Sequence, residues 1–268
     1  MSNTATVLAF DFGASSGRAI RAVYDGQNLT YEEIHRFENV PIEKDGHLCW
    51  DVETLLKEIH TAIQKAGTFD SLGFDTWGVD FGLLDADGHL LANPVHYRDA
   101  RTNGKPEQAA ACMPAEELYA HTGNQIMAIN TLFQLLALQE QESELLQKAE
   151  QILFMPDLFA ALLGAEPVCE RSIASTSQML DPRTGQWSRE VLTAYGLKEN
   201  HFAPLVASGT VTGTLTTGAK IIAVAGHDTQ CASAAMPCAE EDVEDTAFLS
   251  CGTGSVRGSE LDSASVWA

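Results

Sequence analysis

Asp11-Phe12-Gly13-Ala14-Ser15-Ser16-Gly17-Arg18 brings a carboxylate, two glycines, two hydroxyls and a guanidinium together in one short stretch. These groups suit a phosphate. Gly13 and Gly17 permit backbone angles and close approach that side chains forbid, so successive N–H groups and the Ser15 and Ser16 hydroxyls could cradle an anion. Arg18 adds a charge suited to phosphate oxygens. Asp11, at a strand end, could hold Mg²⁺ directly or through water, as a nucleotide triphosphate site requires. A plain polar hairpin turn accounts for the same letters. So does the G-x-S-x-G nucleophile elbow of hydrolases across 13–17, but that elbow needs a helix straight after the serine, and residues 19–24 read as strand.

A second constellation is Ile221-Ile222-Ala223-Val224-Ala225-Gly226-His227-Asp228, an apolar run that delivers a carboxylate to a strand end where a helix begins. Ligands of open α/β sheets gather at such ends. Asp228 can there accept a proton from an attacking hydroxyl, and it can equally be a helix N-cap. Thr76-Trp77-Gly78-Val79-Asp80-Phe81 is a third candidate. Gly78 would admit a polyhydroxylated ligand against backbone while Trp77 offers an apolar face; the competing reading is a buried tryptophan in a tight strand. His96-Tyr97-Arg98-Asp99-Ala100-Arg101 could line the same cleft, though a surface ion-pair cluster is the expectation. His227 reads as a hydrogen-bonding contact rather than a metal ligand, since no histidine or cysteine stands at metal-site spacing from it. Phe248 to Ser255 runs from strand into a Gly-Thr turn, a further phosphate contact; its glycines at 252, 254 and 258 miss the dinucleotide spacing.

The elements that must position these groups follow from periodicity. Strands are expected at 7–13, 19–25 and 29–37, then a helix from Val52 capped by Asp51 and stopped at Gly67, with Leu55, Leu56, Ile59 and Ile63 on its apolar stripe. Residues 71–76 and 79–84 read as strand, 105–122, 130–149 and 156–163 as helix, 221–225 as a buried strand and 228–236 as a small-residue helix. That β-β-β-α-β-α-β-α order matches the ribonuclease-H-like α/β arrangement with a mixed sheet.

With 268 residues the chain can form one large or two modest domains. Its 16 Lys+Arg against 37 Asp+Glu, a formal charge of −21, disfavour nucleic acid and anionic membrane. A bound phosphate must therefore rely on local groups. The first residues lack the pattern of a secretory signal, no apolar run approaches a membrane span, and the six cysteines show no C-x-x-C pair, so a cytoplasmic protein with free thiols is expected.

DFGASSGR at 11–18, DTWGVDFGLLD at 75–85, YRDARTNG at 97–104, MPD at 155–157 and AGHDT at 225–229 together resemble the FGGY carbohydrate-kinase family across nearly the whole chain. DFGASSGR and TWGVDF are similar to the members acting on L-rhamnulose; glycerol and xylulose kinases usually carry a Gly-Thr pair in the first loop. The resemblance implies the actin/sugar-kinase form of the ribonuclease-H-like fold and ATP- and Mg²⁺-dependent phosphorylation of the L-rhamnulose 1-hydroxyl. It implies ATP contacts from Ala14, Ser15, Ser16, Gly17, Arg18 and Thr253, ketose contacts from Gly78, His227, Asp228 and Thr229, and Asp228 as proton acceptor. It further implies that 1–244 is the sugar-binding first lobe of a two-lobe kinase and 245–268 the start of the nucleotide-side domain. Adenine-binding elements and the FGGY signature are absent, the stretch 213–220 is short, Gly254 stands where tryptophan is usual, and 256–268 drifts from the pattern. A truncated, frameshifted or engineered end is therefore expected, with a catalytically silent sugar-binding fragment as the alternative. L-Fuculose and L-xylulose present similar hydroxyls and remain open as substrates.

Overall fold

The computed structural model describes residues 4–236, 246–251, 255–259 and 266. Its centre is a six-stranded mixed sheet. Along the chain come β1 (Ala5–Phe12), β2 (Ser16–Tyr24), β3 (Leu29–Glu38), α1 (Val52–Ala66), β4 (Ser71–Thr76), α2 (Thr131–Gln141), α3 (Met155–Leu162), β5 (Thr210–Thr214), β6 (Lys220–Ala223) and α4 (Asp228–Ala234). Across the sheet the order is β5-β6-β4-β1-β2-β3. β1, β2 and β3 form an antiparallel meander, whereas β1, β4 and β6 run parallel.

Alternation sorts β1 into two faces. Leu8, Phe10 and Phe12 are fully buried, and Phe159 of α3 lies against Phe12 and Phe74 at ring separations of 4.8 and 6.0 Å. Helix α1 joins the sheet through its buried Val52, Leu55, Ile59 and Ala62. Asp51 caps it as expected, accepting the Thr54 N–H at 3.2 Å, and Gly67 at φ 67° ends it. The opposite face of β1 carries Asp11.

Four expectations shift, one of them the helix expected at 130–149, which divides at Glu142 into Thr131–Gln141 and Ser143–Lys148. β2 begins at Ser16 rather than residue 19, so the loop of the first hairpin is only Gly13-Ala14-Ser15. The strand expected at 79–84 is Phe81–Leu84, and it leaves the main sheet to pair with Gln151–Phe154. The helical region 105–122 is broken in two, Lys105–Ala109 and Ala115–Thr122, because Pro114 lacks the N–H an uninterrupted helix would use. Cys49, Cys112, Cys169 and Cys231 are free thiols. Among the described residues no helix is long and apolar enough to cross a membrane.

Candidate active site

Because β1, β4 and β6 are parallel, their C-terminal ends open on one edge of the sheet. Asp11 and Asp75 are register partners there. The chain leaving β6 crosses beside them: the Thr76 N–H donates to the Gly226 carbonyl at 2.9 Å, and Thr76 bridges His227. Asp228 follows as the first residue of α4. The N-cap is His227, not Asp228. Asp228 Oδ1 instead accepts the Thr229 N–H at 2.6 Å and the Thr229 hydroxyl at 3.1 Å, with His227 Nε2 3.3 Å away. Its side chain is 49% exposed and faces solvent at the cleft edge.

Asp75 is the carboxylate that sequence reasoning missed at this edge. Burial pushes its pKa up to about 7, and the negative charges of Asp11 and Asp228 push in the same direction. Three carboxylates therefore share one strand-end field. Cys231 of α4 lies within reach of Asp75 and donates to the Ala225 carbonyl at 2.8 Å, its thiol raised to about 12 by burial and by Asp75. Asp75 carried a weak signal in sequence, an acid inside the otherwise apolar run Leu72-Gly73-Phe74.

Gly78 stands beside the His227 ring. A Cβ at this position would stand 3.3 Å from the His227 ring and 3.1 Å from the Thr176 methyl. Gly78 is therefore closely packed between Thr176 and His227, with no room for a side chain. Trp77 does not offer its face beside it. It is buried, its indole N–H donates to Asp80 at 3.0 Å, and its ring lies 3.9 Å from that of Trp50. Asp80 is the hub beneath: it accepts from Trp50 Nε1 (2.6 Å), Gln134 Nε2 (2.7 Å) and the Tyr97 N–H (3.1 Å). Burial nevertheless raises its pKa to about 6.

The loop bearing His227 and Asp228 is anchored by Glu170, 1% exposed. Its carboxylate accepts the Gly226 N–H at 3.2 Å, the Ser172 and Ile173 N–H groups at 2.9 and 3.1 Å, and the Ser208 hydroxyl at 2.6 Å. Nothing local marks Glu170. Its partners are drawn from three separate stretches of chain.

The first hairpin differs in its physics from the expected cradle. Neither Gly13 nor Gly17 is among the positive-φ glycines. Gly17 pairs with Phe12 and Phe37 in the sheet, and a Cβ on it would sit 2.3 Å from the Phe37 ring. Packing is what requires this glycine. The loop is tied back by the Asn39 side chain on the Gly13 carbonyl at 2.9 Å and the Asn39 N–H on the Ser15 carbonyl at 3.0 Å. Ser15 is exposed, Ala14 and Ser16 half-buried. Arg18 bonds Asp11 across the hairpin at 2.6 Å. A strand follows the serines, not the helix of a nucleophile elbow.

His96 to Arg101 is not a surface ion-pair cluster. His96 and Arg101 are buried. His96 stacks on Trp50 at 4.1 Å, and burial with the nearby Arg98 charge lowers its pKa to about 4. Arg101 donates to Gln134 Oε1 at 2.9 Å and lines a cavity of about 60 Å³ with His47, Phe81, Leu138 and Glu142, away from the strand-end residues. Gly252, Thr253 and Gly254 lie outside the described residues.

The donor set at the edge is all carboxylate oxygen, which fits Mg²⁺. Its openness fits an ion held by one or two carboxylates that keeps most of its water. Among the described residues, the acids and histidine whose ligand atoms all lie within 4.8 Å of one another are instead Asp85, Asp87 and His89. In that turn Asp85 Oδ1 already accepts the Asp87 and His89 N–H groups at 2.9 and 2.8 Å.

A mixed sheet with a β1–β2 hairpin facing an acid-bearing strand end is the fold of the ribonuclease-H-like sugar kinases. A carbohydrate kinase from Novosphingobium aromaticivorans superposes with a TM-score of 0.83 at 20% identity, covering 99% of this chain and 58% of that one. The xylulose kinase from Lactobacillus acidophilus gives 0.80 at 18% identity, covering 97% and 55%. Residues 6–234 match the N-terminal domain of the FGGY family of carbohydrate kinases, and the chain belongs to that family. Rhamnulokinases from Bacteroides thetaiotaomicron and Enterococcus faecalis are 40% and 39% identical over 97% and 95% of this chain. The chain spans about half the length of these curated relatives, 56% and 53%.

Proposed function

We propose that this chain forms the ketose-binding lobe of a kinase that transfers the γ-phosphoryl group of ATP to the 1-hydroxyl of L-rhamnulose. The observation that carries the reading is that Gly78 packs beside His227 and Asp228 lies next to it, at the sheet edge that also holds Asp11 and Arg18. Gly78 and His227 seat the sugar, with Thr229 beside them, and Asp228 takes the proton of the 1-hydroxyl. The freed oxygen attacks the γ-phosphorus and the bond to ADP breaks. Phosphoryl transfer asks mainly for orientation and a proton acceptor, which a solvent-facing carboxylate supplies.

Ala14, Ser15, Ser16 and Gly17 form the hairpin that meets the phosphates, and Thr253 contacts nucleotide by the family resemblance. Arg18, exposed and paired with Asp11, is the positive group at this edge and turns to phosphate oxygens. Asp11 would hold Mg²⁺, with Asp75 beside it. When bound, that ion neutralises phosphate charge in a field otherwise made negative by three carboxylates. The rhamnulokinase names of the curated relatives described above support L-rhamnulose over other ketoses. We assign residues 1–244 to the sugar-binding domain and 245–268 to the start of a nucleotide-side domain, acting in the cytoplasm.

The test is Asp228→Asn in a full-length parent, with turnover of L-rhamnulose and ATP measured beside ketose affinity. Turnover is expected to vanish while affinity is kept; unchanged turnover removes Asp228 from the mechanism. A second reading is favoured by the half-length match to the relatives: these 268 residues bind ketose without turning it over. ATP consumption by this chain with L-rhamnulose present would exclude it.

A further inference from the structure

Val79 has φ 69°. A β-branched residue in the left-handed region is a backbone outlier. The Asp80 N–H donates to the Gly78 carbonyl at 2.9 Å, so Gly78-Val79-Asp80 closes a three-residue γ-turn of the rare, strained positive-φ kind. Such strain persists only where the surroundings over-determine it. Here the Val79 N–H donates to Thr176 Oγ1 at 3.0 Å, and the Val79 carbonyl accepts the Thr131 hydroxyl at 2.7 Å. Thr176 is fixed in turn, donating to the Ile173 carbonyl at 2.7 Å. Its methyl stands 3.1 Å from where a Gly78 Cβ would lie, with the His227 ring 3.3 Å from the same point.

We propose that Thr176 is a positioning residue for the ketose, its hydroxyl holding the strained turn at Val79 and its methyl packing against Gly78. This deepens the ketose reading and rests on it. The residue belongs to a segment distant in sequence from both Gly78 and His227. It acts on the sugar through the backbone: the turn fixes the plane of Gly78 and with it the position of the Gly78 backbone against His227.

The experiment is calorimetric titration of the 268-residue chain with L-rhamnulose, with melting temperatures recorded for every variant. Thr176→Val keeps the shape but leaves the Val79 N–H without its acceptor; affinity is expected to fall about tenfold. Thr176→Ser restores the hydroxyl and is expected to bind within about threefold of wild type. Val79→Gly adopts the turn without strain, so adding Thr176→Val to it should cost less than about threefold. Wild-type affinity in Thr176→Val overturns the proposal. So does an undiminished loss in the Val79→Gly background, which also decides the matter if Thr176→Val alone fails to fold. A wild-type chain that gives no heat with L-rhamnulose overturns the ketose reading itself and the proposal with it.

Discussion

Replacing Asp75 by asparagine should stabilise the protein at pH 8 and leave it unchanged at pH 4. The folded carboxyl titrates at about 7, against 3.8 when exposed. A folded pKa above the unfolded one means the native state holds its proton more tightly, so the cost of the ionised group is full above pH 7. That cost fades as pH falls through 7 toward 3.8. At about 1.36 kcal/mol per pH unit the gap corresponds to a ceiling of about 4 kcal/mol, which relaxation and water entry reduce to about 2 kcal/mol. The assay is thermal and urea unfolding of wild type and Asp75→Asn from pH 4 to pH 8. A melting temperature raised by about 5 °C at pH 8 is expected, shrinking to nothing at the acid end. An asparagine variant destabilised at pH 8, or a gain that does not depend on pH, would refute the burial argument.

Gly17→Ala forces a methyl into the Phe37 ring and should cost about 2 kcal/mol in urea unfolding; a neutral result would mean the hairpin yields there. Glu170→Gln weakens the buried anchor of the Gly226 loop, with an expected loss of about 2 kcal/mol in the same measurement and weaker ketose binding. Arg18→Ala in a full-length parent should raise KM for ATP about tenfold while ketose affinity stays as in wild type, read by steady-state kinetics and calorimetry.

The strand-end positions of Asp11 and Asp228 were legible in sequence because each is local: an apolar run ending in an acid beside small residues. The capped helix at Asp51 was legible for the same reason. The first hairpin was legible as a turn but not in its mechanism, since the need for Gly17 comes from Phe37 on another strand. Trp77 shows the same limit, because only the fold reveals that Asp80 and Trp50 claim both its N–H and its face. Glu170 and Thr176 were illegible as site residues, and Asp75 showed only weakly, as an acid closing an apolar run. Their importance lies in what strand register and long-range packing bring to them: Asp11 to Asp75, the Gly226 N–H to Glu170, the Val79 N–H to Thr176.

Whether Gly78, His227 and Asp228 form one ketose seat is read by titrating L-rhamnulose into wild type and Gly78→Ala, because a Cβ there would stand 3.1 Å from Thr176 and 3.3 Å from His227 and push them apart. Binding of about one ketose per chain is expected in the wild type, with a loss of more than about tenfold in a Gly78→Ala variant that still melts cooperatively. Equal affinity in the two proteins, or no binding in either, would contradict it.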